Sequence, residues 1–268
     1  MVQIDATYKL NWNDYPVMVI GTTDQDHVFH PYAMALCSNE GSDDFEFIFR
    51  ALHNFDTTWR PSILLADAAE AITVGFTHVF GESRIRLVCF FHVLHNVEKY
   101  LKPLSKSGTG LQLNKDIRAL QACQDESTFE KAFNLFKKKW NRVKDRRVKD
   151  FVSYFEEQWF DKNWNWYEGA ALGQPSTNNG IESTNAAIKR SHTLRERLPV
   201  GQFLNDLERL ITKWSKSRDP NCVNYIPLVL VQIRLKLLDV PPEAKNVPLG
   251  RKRKRGRPSI AKRALLVQ

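Results

Sequence analysis

A chain of 268 residues, 43% hydrophobic and 26% charged with 16 Phe and 7 Trp, can bury a sizeable core, which excludes a disordered, collagenous or coiled-coil protein. No run nears about 18 consecutive apolar residues, the opening MVQIDATYKL lacks a leader pattern, and Cys37, Cys89, Cys123 and Cys222 are too scattered for a disulfide framework. The expectation is an intracellular, water-soluble protein with reduced thiols and no membrane partner, whose net charge of +9 is concentrated in eight basic residues within 251–268, leaving +1 for residues 1–250.

Residues 1–90 alternate strand-like and helix-like periods. VQIDATYKL, YPVMVIGTTD and HVFHPYAMALCS are three β-rich runs separated by polar turns at Asn11 to Asp14 and Asp24 to Asp26, as a meander of antiparallel strands requires. SDDFEFIFRALHNF reads as an amphipathic helix with Ser42 as N-cap, acids in its first turn, and Phe45, Ile48, Phe49 and Leu52 on one face. ILLAD (63–67) is a continuous apolar run of the kind buried in a parallel sheet, followed by a helical stretch through Phe80 and the short run RIRLVCF. The predicted order is βββαβαβ, an α/β fold.

Residues 91–168 read as helical throughout. Phe129, Ala132, Phe133, Phe136 and Trp140 form a core stripe, repeated by Phe151, Tyr154, Phe155 and Trp159, with connections at Gly108 to Gly110 and around Asp145. ALGQPSTNNG (171–180) is a loop before a further helix, and Phe203, Leu204, Leu207, Leu210, Ile211 and Trp214 mark another. VQIRLKLL (231–238) fits strand or helix. The expected organisation is a first core segment at 1–90, a helical insertion at 91–168, the rest of the core at 169–240, and a disordered basic tail at 241–268.

Three carboxylates stand out. Asp5 lies mid-strand, with Val2, Ile4 and Ala6 on one face and Gln3, Asp5 and Thr7 on the other. Asp67 ends an apolar strand at its C-terminal edge, where α/β sheets place ligand groups, although such an Asp also serves as a helix cap. In NNGIESTNAAIKR, a helix starting near Asn178 puts Asn178, Glu182, Asn185 and Lys189 on one polar face, with Ile181, Thr184 and Ile188 on another. The alternative is a solvated surface helix capped near Ser176 or Thr177.

The fragments QIDATYKL, ILLADAAEAI, RLVCFFHVLHNV and STNNGIESTNAAIKR, in this order, resemble the transposase core of Mutator-like elements, from about residue 1 to 215. That family is of the DDE type with a ribonuclease-H-like fold. The resemblance implies a triad of Asp5, Asp67 and Glu182, separated by 62 and 115 residues, with the helical domain of such transposases inserted in the second gap. It implies that the triad holds two Mg²⁺ or Mn²⁺ ions roughly 3.5 to 4 Å apart, and that the protein cuts and joins DNA at transposon ends and target. Assembly as a homo-oligomer on DNA follows from the same likeness, and a nuclear location from the basic tail. The family carries a DNA-recognition region upstream of the first strand, whereas this sequence opens almost at Asp5. A truncated or domesticated copy, acting as a DNA-binding regulator, is therefore the alternative reading.

Cys89 and His92 match the family's Cys-x-x-His and have the spacing of half a zinc site. With no second pair they read as packed or hydrogen-bonded groups at the active-site edge, not as a closed Zn²⁺ centre. Trp164 and Trp166 read as core in preference to a base-stacking platform. Lys137, Lys138, Lys139 and Arg142 open a basic run through Lys149 that fits either a solvated face or a phosphate-tracking surface. Arg255, Gly256, Arg257 and Pro258 resemble an AT-hook for the A·T-rich minor groove, and the overlapping RKRKR suits nuclear import.

Overall fold

The strand-like periods of the first ninety residues form one sheet in the computed structural model, which describes residues 1–24, 28–191 and 196–216. The strands are β1 (Val2–Thr7), β2 (Val17–Thr23), β3 (Phe29–Leu36), β4 (Ile63–Ala66) and β5 (Ile85–Val88). Their spatial order is β3-β2-β1-β4-β5. The first three pair antiparallel, as short polar turns permit, while β1 with β4 and β4 with β5 pair parallel across helical crossovers. β1 is therefore central, and β4 is buried between two neighbours, which explains its unbroken apolar run.

The crossovers are α1 (Ser42–Phe55) and α2 (Glu70–Phe80), which lie on one face of the sheet. Phe45, Ile48, Phe49, Ile72 and Phe76 meet Val2, Ile4, Met18, Ile20, Leu64 and Ala66 there. The α1 cap differs from the expected Ser42. Gly41 is the N-cap, and its N–H donates to Asp44 Oδ2 at 3.0 Å, because an Asp at the third helical position can reach back where Ser42 is already helical. The helices touch at Gly75, where an added Cβ would lie 2.6 Å from the Glu46 nitrogen and the Phe45 Cβ. Ala for Gly in a free helix stabilises by about 0.5–1 kcal/mol; here the clash reverses the sign, and Gly75→Ala is expected to destabilise by about 1–3 kcal/mol in a thermal melt. A melting temperature equal to or above wild type contradicts this packing.

On the opposite face lie α7 (Asn179–Ser191) and α8 (Val200–Lys216), where Ile181, Ile188, Phe203, Leu207 and Leu210 cover Val17, Val19 and Leu36. Between β5 and α7 come α3 (Phe90–Leu101), α4 (Thr109–Gln121), α5 (Glu126–Trp140) and α6 (Arg146–Glu156), which runs on into a π-helical turn at Glu157–Lys162. They share an aromatic core: Phe133 stacks on Phe160 at 4.0 Å and Phe129 on Tyr167 at 4.3 Å, while Phe90 stacks on Trp166 at 5.8 Å and joins that core to the end of β5.

Two details of 91–168 depart from the sequence reading. Gly110 belongs to α4 and not to the connection before it. Asn163–Tyr167 leaves the helix: its Asn165 carbonyl accepts the Val88 N–H at 2.9 Å, satisfying the outer edge of β5, and Trp166 Nε1 donates to the Trp159 carbonyl at 2.6 Å. Trp166 is wholly buried, whereas Trp164 is half-exposed. No helix among the described residues is long and apolar enough to cross a membrane. Asp26, His27, Cys222, the 231–238 run and the tail with Arg255, Gly256, Arg257 and Pro258 lie outside the described residues.

Candidate active site

The alternation read along β1 holds. Val2 and Ile4 enter the core under α1 and α2, so Gln3, Asp5 and Thr7 face α7. The parallel register Val2↔Leu64 and Gln3↔Leu65 carries Asp5 up beside the end of β4, where Asp67 follows the last strand residue. Asp67 Oδ1 accepts the Ala69 N–H at 2.9 Å and shapes the turn into α2.

The third carboxylate arrives on α7. Gly180 lets the start of this helix press onto β3, since a Cβ there would lie 2.4 Å from Phe29 Cβ. Glu182 follows, and one turn on, Asn185 Nδ2 donates to Asp5 Oδ2 at 3.0 Å across 180 residues of sequence. The polar face of α7 is not a solvated surface: Asn178 is wholly buried and Asn185 nearly so, while Lys189 is partly covered. The helix takes Asn178 as its cap position, with the Asn178 carbonyl accepting the Glu182 N–H at 3.1 Å, so the cap is not Ser176 or Thr177.

The electrostatics tie the three acids together. Burial pushes the Asp5 carboxyl up to about 7, and the charges of Asp67 and then Glu182 add to the shift, against the Ala6 amide and the Asn185 side chain. Burial also raises Glu182. The sequence reading missed Arg86, whose guanidinium donates to the backbone carbonyls of Asp67 and Leu87 and, at 3.0 Å, to Thr73 Oγ1. Burial lowers it to about 10, with Asp67 opposing, so it stays charged at neutral pH. The signal was a charged residue inside the short apolar run RIRLVCF.

Cys89 is the buried N-cap residue of α3, and its sulfur accepts the Asn178 N–H at 3.1 Å. Burial pushes the thiol up to about 11. His92 Nδ1 is buried with no partner, and burial lowers this imidazole against the pull of Asp67. Among the other histidines, His30 Nε2 meets Asp24 Oδ2 at 2.6 Å and His78 Nδ1 meets Glu46 Oε2 at 2.8 Å.

The basic run is partly neutralised. Lys137 pairs with Glu156 and Lys139 with Asp116, each at 2.5 Å, whereas Lys138, Arg142, Lys144 and Lys149 are exposed.

As the side chains stand, no group of three His, Cys, Asp or Glu among the described residues encloses a metal ion. The donor set still fits a hard divalent cation. It is all carboxylate oxygen, and positive charge placed among the three offsets both the burial of the Asp5 carboxylate and the repulsion from Asp67 and Glu182.

The model of the MULE transposase domain matches residues 1–96, the stretch from β1 into α3 that holds Asp5, Asp67, Cys89 and His92. No curated protein matches the chain. Through residues 1–96 the chain is similar to the MULE transposase domain.

Proposed function

We propose that the chain is the catalytic core of a DDE transposase with a ribonuclease-H-like fold, cutting and joining DNA phosphodiesters. The observation that carries this reading is the convergence of Asp5 from the central strand, Asp67 from the end of the next and Glu182 from α7, close enough that the latter two add to the effect of burial in raising the Asp5 carboxyl. The strand order β3-β2-β1-β4-β5, with helices on both faces, supports the fold.

Asp5, Asp67 and Glu182 are the residues to hold Mg²⁺ or Mn²⁺ here. Bound there, the two ions supply Lewis-acid stabilisation of the phosphoryl transition state. The protein's own part is positioning. Asn185 fixes one oxygen of Asp5, the Ala6 amide also bonds this carboxylate, and Arg86 holds the backbone of Asp67 through its carbonyl. The central strand and the packed start of α7 keep Asp5 and Glu182 on rigid elements, and the Ala69 amide and Arg86 hold Asp67 in its turn, which lowers the cost of ordering the three around substrate.

Lys138 and Arg142 lie on an exposed basic surface fit to contact the DNA backbone, and Arg255, Gly256, Arg257 and Pro258 add a minor-groove contact suited to A·T-rich DNA in a nucleus. The test of function is nicking of supercoiled plasmid in Mn²⁺. Wild type is expected to nick; Asp67→Asn and Glu182→Gln are expected to fold and not to nick. Equal nicking by either variant removes that residue from the site.

A further inference from the structure

Hydrogen bonds leave the turn between β5 and α3 in two directions. Toward the sheet, the Cys89 N–H donates to the Ala66 carbonyl at 2.8 Å, one residue before Asp67. Toward α7, the Cys89 sulfur accepts the Asn178 N–H at 3.1 Å, and the Phe90 N–H donates to the Ser176 carbonyl at 2.9 Å. The Asn178 carbonyl in turn accepts the Glu182 N–H at 3.1 Å. Cys89 thus stands beside the peptide that leads into Asp67 on one side and two hydrogen bonds from Glu182 on the other.

What anchors Asn178 is the sulfur and not its own side chain. Asn178 is wholly buried, and both ends of its side-chain amide lack partners. Removing the sulfur leaves a backbone N–H unpaired at the same depth, where water does not replace the acceptor. The Phe91 and His92 amides, in the first turn of α3, also face this sulfur, and the side chain is fully enclosed, so the thiol stands between the starts of α3 and α7.

We propose that Cys89 is a positioning residue, whose amide and thiol together tie the start of α7, and with it Glu182, to the strand edge that carries Asp67. The proposal rests on the reading of Glu182 as a site carboxylate. It links two acids that lie 115 residues apart in sequence, with a helical insertion between them, and that each act on Asp5.

The test is amide hydrogen exchange on the metal-free full chain, comparing wild type, Cys89→Ala and Cys89→Ser, with the Mn²⁺ dependence of plasmid nicking measured alongside. Cys89→Ala is expected to speed exchange across residues 178–185 by about tenfold to a hundredfold, the factor that follows from leaving one buried donor unpaired. The strands β1 to β3 are expected to keep their protection. The Mn²⁺ concentration for half-maximal nicking is expected to rise by about tenfold, with a smaller loss of rate at saturating Mn²⁺, and Cys89→Ser is expected to recover part of both effects because its hydroxyl accepts from a shorter arm. Cys123→Ala, a buried thiol in the helical insertion, is the control that changes neither.

Unchanged exchange at 178–185 in Cys89→Ala overturns the proposal. So does uniform acceleration through the sheet, which marks a packing role only. If Cys89→Ala does not fold, the same comparison is made with Cys89→Ser. A wild type that never nicks, with the local exchange effect present, refutes the nuclease reading and leaves the tie between Cys89 and α7 standing.

Discussion

Asp5→Asn is expected to raise the stability of the metal-free protein above about pH 7 while abolishing DNA cleavage. The folded carboxyl titrates at about 7 against an ordinary value of 3.8. The folded state therefore binds this proton more tightly than the unfolded chain does. Stability from this group is complete below about pH 4 and is lost as pH climbs to about 7, beyond which the ionised carboxylate carries the full penalty of burial and of its two acidic neighbours. A shift of this size corresponds to about 2–4 kcal/mol, or roughly 5–10 °C in melting temperature for a chain of this length. The amide of the Asn variant keeps an oxygen for Asn185 and has no charge to bury, so its melting curve is expected to stay flat over the same pH range. Melts of both proteins in chelator at about pH 5 and about pH 8 check the effect, and parallel curves contradict it. Added Mn²⁺ is expected to restore the wild type at high pH and to leave the variant unmoved.

The second large effect is expected in the helical insertion. Phe129 is fully buried, stacks on Tyr167 at 4.3 Å and meets Trp166 edge-on at 5.2 Å. Trp166 in turn stacks on Phe90, next to Cys89. Phe129→Ala opens a cavity among rings already fixed by the backbone, and a loss of about 3–5 kcal/mol is expected. Tryptophan fluorescence during urea unfolding reads it directly, because Trp140, Trp159 and Trp166 all belong to this cluster. A midpoint unchanged from wild type shows that the insertion core is not packed as described.

Much of this was legible in local pattern. Alternation placed Asp5 on the face opposite Val2 and Ile4, the unbroken ILLA marked a strand with neighbours on both sides, and the spacing of Phe129, Phe133, Phe136 and Trp140 marked a buried stripe. The face shared by Glu182 and Asn185 was also readable from helical spacing. Which way that face turned was not, since a polar helix face reads alike whether it meets water or a buried carboxylate. The role of Arg86 escaped for a similar reason: it acts on carbonyl oxygens of another strand, and backbone acceptors have no letter in a sequence. The tie from Cys89 to Asn178 spans 89 positions and ends on a backbone N–H, so only the folded chain displays it. The exit of Asn163–Tyr167 from its helix was hidden because the run of Trp and Asn fits a helical stripe until the open edge of β5 claims its carbonyl.

Whether the three carboxylates share a cation is tested most directly by calorimetric titration of Mn²⁺ into the metal-free wild type at about pH 8, beside Asp5→Asn and Asp67→Asn. Saturable binding by wild type, absent from both variants, is the expected result. Binding heats that are the same in all three proteins, or absent from wild type, contradict a metal site built on Asp5, Asp67 and Glu182.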